Sequence, residues 1–214
     1  MVLDVIEKIN SLPNVVLAST SPRRIEALSG LGLSNLKIIS PSFIENLDKS
    51  TFATPQDYCL ENAKQKAKCV YEDIKGTSIV IGVDTICVHE NKILEKPINT
   101  EAAKEMLNSL SGVSHFVYSG VFILYHNEKT DEKGQESFVT STKVTFDTIS
   151  KESINYYVEK YKPLDKAGSY GIQEVVAGSF IKGIEGDYYN VTGIPVNDIS
   201  RTLRSIYVNI FSQK

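Results

Sequence analysis

Asn14-Val15-Val16-Leu17-Ala18-Ser19-Thr20-Ser21-Pro22-Arg23-Arg24-Ile25 is the stretch that carries the reading of the fold class. A short apolar run of strand type passes through three hydroxyl residues into a segment where Ile25, Leu28 and Leu31 recur at helical spacing. Ser21 before Pro22 has the pattern of an N-cap followed by proline at the first helical position, and Gly32 suits the C-terminal stop. Strand, polar turn and helix thus follow one another directly. The alternation continues. A strand is expected over 36–40, and Thr54-Pro55 caps a helix carrying Ala63, Ala67, Val70 and Ile74. A β-branched strand over 78–88 turns at Glu90-Asn91-Lys92 into a partner, Ile93-Leu94-Glu95. Thr100 caps a helix with Ala103, Met106, Leu107 and Leu110 on one face, closed by Ser111-Gly112. Strands over 115–125 and 138–146 flank a charged, turn-rich stretch over 127–135. A helix over Lys151–Tyr161, a loop through Gly168 and Gly171, a strand over 179–185 and a helix after Pro195 complete the chain. Neither GxGxxG nor GxxxxGK[ST] occurs, so the expected class is α/β with a mixed sheet and no standard phosphate loop.

A chain of 214 residues with 42% apolar and 23% charged residues is long enough for one large domain and too ordinary for disorder, collagen or coiled coil. With 23 Lys+Arg against 26 Asp+Glu the net charge is -3, which draws the chain neither to nucleic acid nor to an anionic membrane. Any phosphate must be held locally. Cys59, Cys69 and Cys87 form no Cys-x-x-Cys, which argues against a zinc site or disulfide framework and for a reducing, cytoplasmic setting. The opening residues lack both a basic leader pattern and a long apolar run.

The Ser19-to-Arg24 turn is the most informative chemical feature. A helix N-terminus offers free N–H groups and the positive end of the dipole, the preferred seat of a phosphate. Arg23 and Arg24 are unfavourable beside that dipole unless an anion neutralises them, and a guanidinium holds phosphate oxygens bidentately. A capped helix with two solvated arginines remains the plainer alternative. Asp84 stands in an otherwise apolar strand, where a carboxylate needs a metal, a cation or solvent. It can bind a divalent ion or accept the proton of a water attacking phosphorus, or it can be a satisfied acid of the sheet. Lys96 is a candidate counter-charge for phosphate, whereas Glu45 and Lys66 alone look like solvated surface. The run Asp165-Lys166-Ala167-Gly168-Ser169-Tyr170-Gly171-Ile172-Gln173 could hold a planar ring while Gln173 reads its edge, or be a structural loop.

In this order the segments resemble the Maf family of nucleoside triphosphate pyrophosphatases over nearly the whole chain. Leu17 to Arg24 is similar to its Ala-Ser-x-Ser-x-Arg-Arg signature, Glu45 to its acidic loop residue and Lys66-Ala67 to its helical Lys-Ala. Gly82-Val83-Asp84-Thr85 and Leu94-Glu95-Lys96-Pro97 are similar to its Gly-Ala-Asp-Thr and Leu-Glu-Lys-Pro. Ser111-Gly112 with His115, Val117, Ser119 and Gly120, then 165–173 and 184–195, complete the match. The resemblance implies an elongated, inosine triphosphatase-like mixed-sheet fold, a single domain over 1–214 with two lobes around one cleft. It also implies hydrolysis of a nucleoside triphosphate to monophosphate and pyrophosphate with a divalent cation, Mg²⁺ or Mn²⁺. Asp84 would be the proton acceptor and, with Glu45, a metal ligand. Ser19, Arg23, Arg24, Lys66 and Lys96 would bind phosphate, and Arg23, Thr85 and Gln173 would set base specificity.

The Ala-Gly-Ser-Tyr-Gly-Ile-Gln form of the loop resembles the branch acting on dTTP and UTP rather than the one acting on 7-methyl-GTP. The implied partner is the nucleotide, without nucleic acid or membrane, and a homodimer is left open. A nucleotide-binding regulator of cell division without significant turnover is the alternative from another class. The joint presence of Asp84, Lys96 and both arginines favours turnover. Ile44, Val113, Ser141 and Glu174 depart from the family pattern, where an acid, an Arg or other polar residue, a Glu and a Gly are usual.

Overall fold

The computed structural model describes residues 1–212. The helices are α1 (Ile6–Asn10), α2 (Pro22–Gly30), α3 (Pro55–Tyr71), α4 (Thr100–Leu110), α5 (Lys151–Tyr161), α6 (Val175–Gly178), α7 (Tyr188–Thr192) and α8 (Val196–Ile206). The strands are β1 (Asn14–Leu17), β2 (Leu36–Ile38), β3 (Ser78–His89), β4 (Lys92–Leu94), β5 (Ser114–Asn127), β6 (Glu132–Phe146) and β7 (Ile181–Glu185). They form a seven-stranded sheet in the order β2-β1-β3-β5-β6-β7, with β4 paired to β3. β1 runs parallel to β2 and β3, whereas β4 is antiparallel to β3 and β7 to β6, so the sheet is mixed as expected. Among the described residues no helix is long and apolar enough to cross a membrane.

The chain divides into two compact units: Met1–Asp84 with Ser119–Thr140 and Gly193 onward, and Thr85–Tyr118 with Ser141–Thr192. In the first, β1 and β3 are apolar on both faces, as parallel strands covered on two sides must be. Val15, Leu17, Ile79, Ile81 and Val83 pack with Ile199, Leu203 and Ile206 of α8, while Val16 and Val80 pack with Val70 of α3. The period of two places Gly82 and Asp84 on the same face as Val80. Helix α3 begins with a capping box in which Thr54 Oγ1 accepts from the Asp57 N–H and the Asp57 carboxylate accepts from the Thr54 N–H.

Its approach to the strands is unusually close. A Cβ placed on Gly82 would strike the Ala63 carbonyl and come within 2.8 Å of the Ala67 Cβ, and one on Gly120 would lie 2.8 Å from the Cys59 carbonyl. The second unit is built around Leu107 and Leu110 of α4, Ile154 and Tyr157 of α5, and Val117, Val144 and Phe146 of the strands. His115 Nε2 and the Tyr170 hydroxyl share a buried hydrogen bond of 2.7 Å there.

The structure corrects several expected boundaries. Helix α4 is capped by Asn99, whose Oδ1 accepts from Ala102 N, and Thr100 is its first residue. Ser21 precedes Pro22 as expected, yet its side chain makes no capping bond. β2 ends at Ile38, β6 begins at Glu132 inside the stretch read as turns, and Ser179 closes α6, so β7 starts at Ile181. Since Gly82 leaves no room for a methyl group, Gly82→Ala should lower the unfolding free energy by about 1–3 kcal/mol in urea titration. Gly183, where an added Cβ meets nothing within 4 Å, is the control, and Gly183→Ala should stay within about 0.5 kcal/mol of the parent.

Candidate active site

The turn between β1 and α2 is organised by Ser19. Its buried hydroxyl oxygen accepts from Ser21 N at 3.2 Å and from Arg24 Nη1 at 3.2 Å, which leaves the O–H to donate. Arg24 folds back over the turn, its Nε donating to the Gly193 carbonyl at 2.9 Å. Burial pulls the Arg24 pKa down, and the charges of Asp84 and Glu45 oppose that shift. A guanidinium stays cationic under either influence. Arg23 is partly buried beside it. Because the Ser21 side chain does not cap α2, the first-turn N–H groups are not closed off by it.

Lys66 ties two acids together. Its Nζ lies 2.7 Å from Asp84 Oδ1 and 3.0 Å from Glu45 Oε1, with Lys66 and Asp84 buried and Glu45 exposed. Residues 45, 66 and 84, each weak or ambiguous in the sequence, are thereby brought to one point. The Asp84 backbone is held as well: the Cys59 thiol donates to its carbonyl at 3.3 Å and accepts from Gly120 N at 3.1 Å. Arg23, Arg24 and Lys66 set three cations against the two carboxylates of Glu45 and Asp84, an excess that suits a polyanion.

Sequence reasoning missed the parts played by Cys59, Gly193 and Asn62. Asn62 is buried one helical turn before Lys66, its Nδ2 donating to the Tyr58 carbonyl at 3.0 Å while Oδ1 has no partner. A glycine within a strand signals close approach, and Gly82 was readable in that way. Thr85, Lys96 and Gln173 belong to the second unit. Thr85 is partly buried, while Lys96 and Gln173 are exposed.

Among the described residues no group of three or more His, Cys, Asp or Glu side chains is arranged to hold a metal. Two carboxylates converging on one ammonium do fit a hard divalent cation that takes its remaining oxygens from phosphate and water, the usual habit of Mg²⁺.

Comparison with known proteins finds relatives over nearly the whole chain. The nucleoside triphosphate pyrophosphatase of Dictyostelium discoideum is 53% identical over 192 residues, 88% of this chain and 88% of that protein. A dTTP/UTP pyrophosphatase of Clostridium novyi is 42% identical over 199 residues, covering 92% and 99% of the two chains. A human protein described as a probable bifunctional dTTP/UTP pyrophosphatase/methyltransferase is 41% identical over 200 residues, 90% of this chain but 32% of its own length. Residues 14–206 match the family described as Maf-like protein. With that span covering both the β1–α2 turn and the Lys66–Asp84 pair, the chain belongs to the Maf family.

Proposed function

We propose that this protein hydrolyses dTTP and UTP to the nucleoside monophosphate and pyrophosphate. The observation that carries the reading is the buried Asp84 carboxylate paired with Lys66, in the same unit as the Ser19–Arg24 turn. The names of the relatives, dTTP/UTP pyrophosphatase among them, support the same substrates. The free thiols of Cys59, Cys69 and Cys87 support a reducing, cytoplasmic setting.

In this reading the Ser19 hydroxyl, the two arginines and Lys96 bind triphosphate oxygens and offset the charge that develops on them. Asp84 accepts a proton from the attacking water, a P–O bond forms to the water oxygen, and the α–β phosphoanhydride breaks with pyrophosphate leaving. Lys66 compensates the buried charge of Asp84, orients its carboxylate and, with its third N–H, would reach a phosphate oxygen as well. Glu45 and Asp84 would hold the divalent cation. When bound, it neutralises phosphate charge as a Lewis acid.

Gln173 is the proposed reader of the base. Uracil and thymine present a carbonyl, an N3–H and a second carbonyl, which an amide with one donor group and one acceptor can match. Cytosine offers an unprotonated N3 and an amino group on that edge, so a fixed amide would meet mismatched atoms. The 5-methyl of thymine is worth only about 1–3 kcal/mol in an apolar pocket, so both pyrimidines should be accepted. Arg23 and Thr85 are proposed to modulate the same choice.

A panel of triphosphates with Mg²⁺ should release pyrophosphate in one step, fastest from dTTP and UTP, and lose activity in excess EDTA. Stepwise orthophosphate release, or 7-methyl-GTP as the best substrate, would contradict the assignment; binding without turnover would favour a regulatory role. Asp84→Asn keeps the shape and removes the charge, so turnover per folded molecule should fall by about 10²-fold or more while thermal melting persists. Gln173→Ala should narrow the gap between UTP and CTP chiefly in kcat/KM, which steady-state kinetics on the two substrates will read.

A further inference from the structure

The loop that presents Gln173 is anchored on both sides within the second unit. Before it, Tyr170 is buried, hydrogen-bonded to His115 Nε2 at 2.7 Å and packed edge-on against Phe146 at 4.9 Å between centroids. The Glu174 N–H then donates to the Gly171 carbonyl at 3.0 Å, closing a turn with Ile172 and Gln173 at its centre. After it, the Glu174 carboxylate takes two partners. Oε2 accepts from the Tyr157 hydroxyl at 3.2 Å, and Oε1 lies 2.9 Å from Lys166 Nζ, which also meets Asp165 Oδ1 at 2.7 Å. The Lys166 side chain is only 11% exposed. Burial by itself would lower its pKa, but the hydrogen bonds to Asp165 and Glu174 outweigh that and keep the ammonium charged.

Gly171 shows what this arrangement controls. A Cβ placed there would lie 2.8 Å from Gln173 Nε2, 3.2 Å from Gln173 Oε1 and 3.1 Å from Lys166 Cε. The Gln173 amide therefore lies across the bare face of Gly171, with the Lys166 stem against the same face. Gly171 is not among the positive-φ residues, so its backbone would accept a side chain. A methyl group there would push the amide and the lysine stem from their present places while leaving the backbone undisturbed.

The geometry points to Lys166, held by Glu174 over Gly171, as a positioning residue that fixes where the Gln173 amide lies and with it the choice of base. This rests on the reading that Gln173 faces the base. A glutamine amide turned by half a revolution exchanges its NH₂ and its oxygen. Held in one place, it can meet the edge of uracil; released, it can shift and turn to satisfy cytosine as readily. Loss of the clamp should therefore remove selection and spare turnover. Glu174, one of the departures from the family pattern, becomes the residue that locks the reader in place.

The test is kcat/KM for UTP and CTP in the parent enzyme and in Gly171→Ala, Lys166→Met, Lys166→Arg, Glu174→Ala and Gln173→Ala. The ratio of the two values does not depend on the fraction of protein that is folded. It should fall by about tenfold in Gly171→Ala, Lys166→Met and Glu174→Ala, and be largely kept in Lys166→Arg. The kcat for saturating UTP should stay close to that of the parent in Lys166→Met and Glu174→Ala. An unchanged ratio in Gly171→Ala, Lys166→Met or Glu174→Ala, with a narrowed one in Gln173→Ala, overturns the clamp and leaves the base-reading role standing. Equal loss in Lys166→Arg and Lys166→Met overturns the ion pair as its cause. If Gln173→Ala itself keeps the parent ratio, the base-reading role fails and the clamp with it.

Discussion

Helix α3 lies so near β3 and β5 that a methyl group on either Gly82 or Gly120 would collide with its backbone. Ala63 and Ala67 form the matching face of the helix, packed with Phe122. Small residues on both sides let a helix and a sheet meet backbone to backbone, which dense interiors permit only where side chains are absent. The Lys66–Asp84 pair follows from that approach. Lys66 lies on the turn between Ala63 and Ala67, and Asp84 stands two residues beyond Gly82 on the same strand face. An added layer of side chains would move the helix outward and part the ammonium from the carboxylate.

The pair itself is a costly device. Removing an ammonium and a carboxylate from water is seldom fully repaid by their attraction, so such pairs contribute little to folding. Here a second acid, Glu45, shares the same ammonium from the solvent side. The result is a buried acid whose counter-ion is shared with a solvent-facing carboxylate. Arg24 adds to this by spending its guanidinium on Ser19 and the Gly193 carbonyl, which fixes it over the β1–α2 turn.

Much of this was legible in the sequence because it is local. The β1–turn–α2 passage, the Thr54-Pro55 cap and the hairpin at Glu90-Asn91 are each decided within a few residues. Asn99 and Thr100 are both good caps, and the choice between them falls to the extended φ of Asn99. The N-terminal stretch, read only for the absence of a leader, supplies α1 as well as Val2, Val5 and Ile9 to the core. What could not be read is long-range. No periodicity links Glu45, Lys66 and Asp84, and nothing near Cys59 announces that its thiol reaches the Asp84 carbonyl 25 residues away. The resemblance of the segments to a family pointed to the first three, and it was silent on the thiol.

That thiol has a consequence for oxidative chemistry. Thiols are attacked by peroxides as thiolates, and burial together with the nearby charge of Asp84 pushes the Cys59 pKa up, away from the reactive form. Its proton is also engaged, given to the Asp84 carbonyl while the sulfur receives the Gly120 N–H. Cys87 is likewise buried with its pKa pushed up to about 12, which leaves the partly exposed Cys69 as the thiol most open to oxidants. Peroxide would thus meet Cys69 first and spare the sulfur that is hydrogen-bonded to the Asp84 carbonyl.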